Sequence, residues 1–220
     1  MFPTMELKIG ILALQGDLEE HEGAMRRALE EEGLQSSFVH VKRAEDLEGV
    51  SALLMPGGES TVMGWLALYS RLHEALKAKI AGGLPIFATC AGAILLSKRA
   101  YDRVVGQTSQ PLLGLLDVLV ERNAFGRQRE SFEAEIEIPV LGPPPYRAVF
   151  IRSPIIRQVG EGVTPLAKLP DGAIVALEQG SVLATTFHPE LSGDTRLHRY
   201  FIRKFLLPRA RAGPPSSAPA

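Results

Sequence analysis

The chain has 220 residues, 45% hydrophobic and 22% charged, with 24 basic against 25 acidic side chains and a formal net charge of −1. This near-average composition excludes intrinsic disorder, collagen and coiled coil, and the balanced charge offers no footprint for nucleic acid or a membrane surface. A single cysteine excludes an internal disulfide and a cysteine-rich metal site, as in a reducing cytoplasm.

Along the first half, short apolar runs alternate with helical patterns. Residues 8–14 (KIGILAL) read as a buried strand, broken at Gln15-Gly16. Residues 17–32 then read as a helix, with Asp17 at its start, Leu18, Met25 and Leu29 as an apolar stripe, and Gly33 to end it. Strands follow at 37–41 and 52–55, the latter stopped by Pro56-Gly57-Gly58. Residues 61–81 are expected to form one helix, 85–89 a fourth strand and 91–98 a further helix. This alternation predicts a mostly parallel central sheet with helices on both faces. The loops that follow the strands then gather along one edge, where sites of α/β proteins lie.

From about Gly114 the texture changes. Residues 116–121, 133–140, 147–151, 164–169, 174–178 and 182–187 are strand-like and joined by Gly- and Pro-containing turns, so the second half reads as β-rich and partly antiparallel. Residues 196–207 form the last predicted helix, with Leu197, Phe201 and Phe205 on one stripe. Residues 1–207 are expected to be one domain, and 208–220 (PRARAGPPSSAPA) a disordered tail. The N-terminus lacks the basic and apolar regions of a signal peptide, and no apolar run approaches the roughly 20 residues of a spanning helix.

Three features could carry chemistry. Cys90 sits where the strand 85–89 passes straight into a helix, with Ala88 and Gly92 as small neighbours that permit a sharp turn. That is the geometry of a nucleophile elbow, and a helix N-terminus favours a thiolate. An inert buried cysteine would occupy the same position equally well. The second feature is Phe187-His188-Pro189-Glu190 after an apolar strand. In extended backbone His188 and Glu190 share a face, and a carboxylate beside an imidazole fixes its tautomer and supports its charged form; a surface His–Glu pair would look the same. His21, His40, His73 and His198 have no comparable context and read as surface or packing residues. The third feature, Met55-Pro-Gly-Gly-Glu-Ser-Thr61, is a glycine turn between strand and helix whose amides could hold an oxyanion, or which could simply cap the helix through Ser60 or Thr61. No G-K-[ST] follows it, which excludes a Walker phosphate loop, and no H-x-x-x-H or carboxylate cluster suggests a metal.

Taken together, Cys90 at an elbow, a distant HPE and an upstream PGG loop resemble the class I glutamine amidotransferases. Within that class the chain is similar to the glutaminases of pyridoxal 5′-phosphate synthases. The segments LALQG (12–16), PGGEST (56–61), TCAG (89–92), VERNAFGRQ (120–128), SFEA (131–134), VFIRSP (149–154) and TFHPE (186–190) match in order. Departures are Ala88 where Gly is usual, Ala124 where Ser is common, and Thr186 before Phe187.

The resemblance implies a three-layer α/β fold and hydrolysis of L-glutamine by a Cys90–His188–Glu190 triad. It implies an oxyanion hole at the amides of Gly58 and Ala91, and glutamine contacts from Gly58, Glu59, Ser60, Arg122, Ile151 and Arg152. An ordinary salt bridge would also explain either arginine. No metal or cofactor is implied. The implied partner is a synthase subunit that takes the ammonia and builds the vitamer from ribose 5-phosphate and glyceraldehyde 3-phosphate. Gln15 and Gly57 are read as a loop which that partner activates. The rival readings are the glutaminase of an imidazole glycerol phosphate or anthranilate enzyme, which the ERN-FGRQ segment and Ile94 in place of an elbow glutamine disfavour, and a non-enzymatic interaction subunit on the same fold.

Overall fold

In the computed structural model, residues 6–125 and 131–208 are described. The predicted tail from residue 209, and the FGRQ end of the 120–128 segment beyond Phe125, lie outside the described residues. Strands β1 (Leu7–Leu12), β2 (Ser36–Val41), β3 (Ala52–Met55) and β4 (Ile86–Thr89) alternate with helices α1 (Leu18–Glu31), α2 (Ser60–Tyr69) and α3 (Leu72–Ala81). Helix α4 (Ala91–Leu96) follows β4 at once. The second half contributes β5 (Ser97–Asp102), β6 (Gly106–Gln107), β7 (Leu116–Arg122), β8 (Ser131–Ile136), β9 (Tyr146–Ile151), β10 (Ile155–Val159), β11 (Thr164–Lys168), β12 (Ile174–Gln179), β13 (Val182–Thr185) and α5 (Arg196–Phe201).

Eleven strands of the described residues form one sheet, ordered β2-β1-β3-β4-β13-β12-β10-β7-β5-β6, with β11 beside β12. From β2 to β13 all pairings are parallel. From β13 onward they are antiparallel except β5 with β7. The strands β8 and β9 make a separate antiparallel hairpin.

Every side chain of β3 and β4 is buried, as expected where helices cover both faces. One face packs Leu53, Met55 and Ile86 on Met63, Leu72 and Leu76 of α2 and α3. The other packs Ile9, Ile11, Leu54 and Phe87 on Met25 and Leu29 of α1 and Phe201 of α5. No helix of the described residues is long and apolar enough to cross a membrane.

Four local expectations are corrected. The helix expected over 61–81 is two helices: the Ser70 hydroxyl donates back to Leu66 O at 2.8 Å, and Arg71 turns left-handed at φ 58°. The helix expected over 91–98 ends at Leu96, and the chain enters β5, whose Lys98 and Arg99 conceal its strand character. The strand expected over 133–140 starts at Ser131 and stops at Ile136, before a 3-10 turn at Pro139–Leu141. The last helix passes into a π-helical segment at Ile202–Leu206.

Candidate active site

The site forms where β4 and β13 end side by side. Their parallel register pairs Thr89 with Thr185, so the residues that follow each strand, Cys90 and the Phe187-His188 step, emerge together. The Cys90 amide donates to Thr185 O at 2.9 Å and locks this junction. Cys90 adopts φ 47°, ψ −105°, a conformation that costs a non-glycine residue about 1–3 kcal/mol and is held by the packed strand and helix around it. Gly92 permits the turn: a Cβ there would fall 2.2 Å from the carbonyl oxygen of Met55 on β3.

His188 follows β13 after a turn closed by the Thr185 hydroxyl on Phe187 O at 2.9 Å, and its amide donates to Val149 O of β9 at 2.8 Å. The hairpin therefore buttresses the histidine, and Phe150 of β9 packs against Phe187 from the same side. His188 Nδ1 meets Glu190 Oε1 at 2.6 Å, and the imidazole lines the same cleft as the Cys90 side chain. Burial opposes a charge on His188, yet the contacts with Cys90 and Glu190 outweigh it and raise its pKa to about 10. Burial likewise opposes charge on Glu190, but hydrogen bonds from His188 and His21 hold its carboxyl well below the usual carboxylate range.

The glycine loop lies across from the elbow. Gly57 rests against the imidazole, where a Cβ would fall 2.5 Å from His188 Cε1. Gln15, three residues beyond the end of β1, a strand expected to run to residue 14, accepts the Glu59 amide on Oε1 at 2.5 Å and ties this loop down. The cap of α2 is Glu59, not Ser60 or Thr61: its carboxylate accepts the amides of Thr61 at 3.2 Å and Val62 at 2.8 Å. Those amides and Arg122 overcome burial and keep the Glu59 carboxyl below its ordinary range. At the start of α1, Asp17 occupies the cap position without a side-chain capping bond.

Arg122, at the end of β7, is committed on three sides. It donates to Glu59 Oε1 at 2.8 Å, Thr61 Oγ1 at 3.0 Å and Gln110 Oε1 at 2.6 Å. Ile151 and Arg152 enter from the end of β9, with Arg152 turned left-handed at φ 46°. A cleft of about 550 Å³ is lined by Gln15, Gly57, Gly58, Glu59, Ser60, Cys90, Arg122, Ile151, Arg152, His188 and Glu190, so it gathers every site residue expected from the sequence except Ala91. Ala91 is buried directly after the elbow.

Sequence reasoning missed two residues. Gln110 accepts from Ser60 Oγ at 3.2 Å and Thr61 Oγ1 at 3.1 Å besides Arg122, and so ties together the side chains on that wall of the cleft. His21 is not a surface or packing residue: it is buried, and its Nε2 lies 3.2 Å from Glu190 Oε1. Its position three residues after Leu18 and four before Met25, on the apolar stripe of α1, was the available signal. Among the described residues no group of three His, Cys, Asp or Glu could hold a metal ion.

A strained cysteine at a strand–helix elbow, an imidazole just beyond the neighbouring parallel strand, and a carboxylate behind it match the triad arrangement of the class I glutamine amidotransferases. The chain belongs to the SNO glutamine amidotransferase family, whose model matches residues 11–207. It is 52% identical over 198 residues to the pyridoxal 5′-phosphate synthase subunit PdxT of Pelotomaculum thermopropionicum, covering 90% of this chain and 95% of that one. The PdxT of Methanosarcina mazei is 48% identical over 200 residues, covering 91% and 99%. A solved structure described as a glutamine amidotransferase superposes with a TM-score of 0.77 at 47% identity, covering 89% of this chain and 97% of that one. A glutamine amidotransferase from Thermotoga maritima, with a TM-score of 0.57 and 13% identity over 94% of this chain and 86% of that one, shares the fold.

Proposed function

We propose that this chain is the glutaminase subunit of a pyridoxal 5′-phosphate synthase, acting in the cytoplasm on L-glutamine and passing ammonia to a synthase subunit. The observation that carries the reading is the His188–Glu190 hydrogen bond in the cleft that Cys90 also lines, with Cys90 acting on the imidazole.

The Cys90 sulfur attacks the side-chain carboxamide carbon of glutamine and forms a tetrahedral intermediate. The amides of Gly58 and Ala91 receive its oxyanion; loss of one such donor typically costs about 3–4 kcal/mol of transition-state stabilisation. Protonated His188 gives its proton to the departing ammonia, which leaves a glutamyl thioester on Cys90. It then takes a proton from water, whose oxygen attacks the thioester and releases glutamate and the free cysteine. Glu190 holds the imidazole in the tautomer that directs Nε2 at the sulfur and stabilises the imidazolium.

On the opposite wall, Glu59 offers a negative charge for the substrate α-ammonium. Arg122 and Arg152 offer positive charge for the α-carboxylate, Arg152 with the guanidinium less committed to protein partners. Ser60 and Ile151 complete the substrate contacts.

The Gln15 side chain grips the loop that must present the Gly58 amide, and a glycine pair is the backbone least committed to one conformation. Docking of the synthase subunit at this edge favours the competent loop state through its greater affinity for it. Steady-state glutamine hydrolysis with and without the synthase subunit, at saturating glutamine, tests the assignment. Strong stimulation is expected. Equal rates would refute the coupling to that partner, and absence of glutamate release in both conditions would refute the glutaminase reading.

A further inference from the structure

Glu190 is held by two imidazoles, and the mechanism above uses one. Its Oε1 receives His188 Nδ1 at 2.6 Å and His21 Nε2 at 3.2 Å, while Oε2 is buried without a hydrogen-bond partner among the described residues. A carboxylate oxygen only accepts, so both nitrogens facing it carry protons. His21 Nε2 also lies 3.3 Å from Thr89 Oγ1, the hydroxyl of the residue before the nucleophile. One side chain of α1 therefore touches both the strand that ends in the elbow and the carboxylate that ends the triad. Both partners are buried: the His21 side chain is 5% exposed and that of Glu190 3%.

We infer that His21 is a positioning residue of the glutaminase reaction, clamping Glu190 through Oε1 in the orientation that pairs it with His188. This rests on the triad reading above. With Oε2 unpartnered, the two imidazoles are the polar contacts among the described residues that resist rotation of the carboxylate about its terminal bond. Without His21 the carboxylate is left with one donor in a dry site, and the bond it loses is one to a charged group, the stronger class.

The other ionisable groups around Glu190 do not substitute for it. His198 of α5 is fully buried, its pKa pushed down to about 3 by burial and by repulsion from His21, so it is uncharged; its Nδ1 has no hydrogen-bond partner among the described residues. Tyr146 of β9 is engaged by Ser192 at 2.8 Å, and burial pushes its hydroxyl pKa well above the usual phenol range, so it stays neutral.

The test is a double-mutant cycle in the full chain with its synthase partner, measuring kcat and KM for glutamine hydrolysis. His21→Leu is expected to lower kcat about 10- to 100-fold with KM within about twofold, as for loss of an orienting bond to a charged group. His21→Gln, which keeps an N–H donor, is expected to recover most of that loss. In a Glu190→Gln background, where there is no carboxylate to clamp, His21→Leu should cost less than about twofold, the non-additivity of residues acting through one group.

If His21→Leu melts below the assay temperature, His21→Asn replaces it, since its shorter amide does not reach Glu190 and the same loss is expected. An unchanged kcat in His21→Leu, an equal loss in the leucine and glutamine variants, or an undiminished loss in the Glu190→Gln background would each overturn the inference. A slow Glu190→Gln beside a fast His21→Leu refutes only the role of His21. A Glu190→Gln variant at full rate refutes the triad itself.

Discussion

The two walls of the cleft are built to different standards. The catalytic wall is dry: the side chains of Glu190 and His21 are nearly inaccessible, and that of His188 is 13% exposed. It hangs on the junction of β4 and β13 in the middle of the sheet, where every neighbour is packed. The recognition wall is wetter, with the Glu59 side chain 44% exposed, and it is assembled from the ends of β7 and β9 and the cap of α2. Charges are worth several-fold more in the first setting than in the second, because the effective dielectric is lower. The difference teaches where the protein invests rigidity: the groups proposed to handle protons are buried and packed, while those proposed to meet a charged, hydrated amino acid stay close to solvent.

Substitutions that exchange charge for neutrality sharpen this contrast. Glu190→Gln, on the dry wall, is expected to lower kcat by about 100- to 10,000-fold, the range seen when a triad carboxylate is neutralised, with KM little changed. If glutamine binding collapsed while turnover persisted, Glu190 would be contacting substrate instead. Arg152→Gln, on the wet wall, is expected to do the reverse, raising KM about 10-fold with kcat nearly intact, because it removes uniform binding of the α-carboxylate. A fall in kcat alone would move Arg152 to the chemical side of the cleft.

The smallest expected effect lies in stability. The folded-state pKa of His188 is raised from 6.5 to about 10. The stabilisation linked to its charge is therefore fully present below pH 6.5 and lost as pH rises through about 10. The melting-temperature difference between the wild type and His188→Asn should shrink over that interval. A difference independent of pH would show that the imidazolium contributes nothing to folding.

Parts of this contrast were legible in the sequence and parts were not. The alternation of apolar runs and helical patterns up to residue 98 revealed the parallel half, because buried strands and amphipathic helices have different periods. The elbow, the glycine turn and the HPE step were visible because each needs unusual local chemistry. What brings them together was not visible: β13 returns after a long antiparallel excursion to pair with β4, and nothing local to either strand encodes that partner.

His21 was overlooked for a different reason. A histidine on an apolar stripe reads as packing until the carboxylate it faces, on a segment distant in sequence, is known. Gln110 lies in a stretch without apolar periodicity, and β5 is masked by Lys98 and Arg99, which face outward where the strand pairs with β7. The break between α2 and α3 depends on one left-handed residue, Arg71, for which the sequence holds no glycine or proline signal.

The central claim is that Cys90 does nothing in the complex except liberate ammonia. The most direct measurement is vitamer formation by the Cys90→Ala chain bound to the synthase subunit, with ribose 5-phosphate and glyceraldehyde 3-phosphate supplied, comparing glutamine with ammonium as the nitrogen source. The account predicts no product from glutamine and an undiminished rate from ammonium. Product from glutamine at the wild-type rate in this folded variant would contradict it.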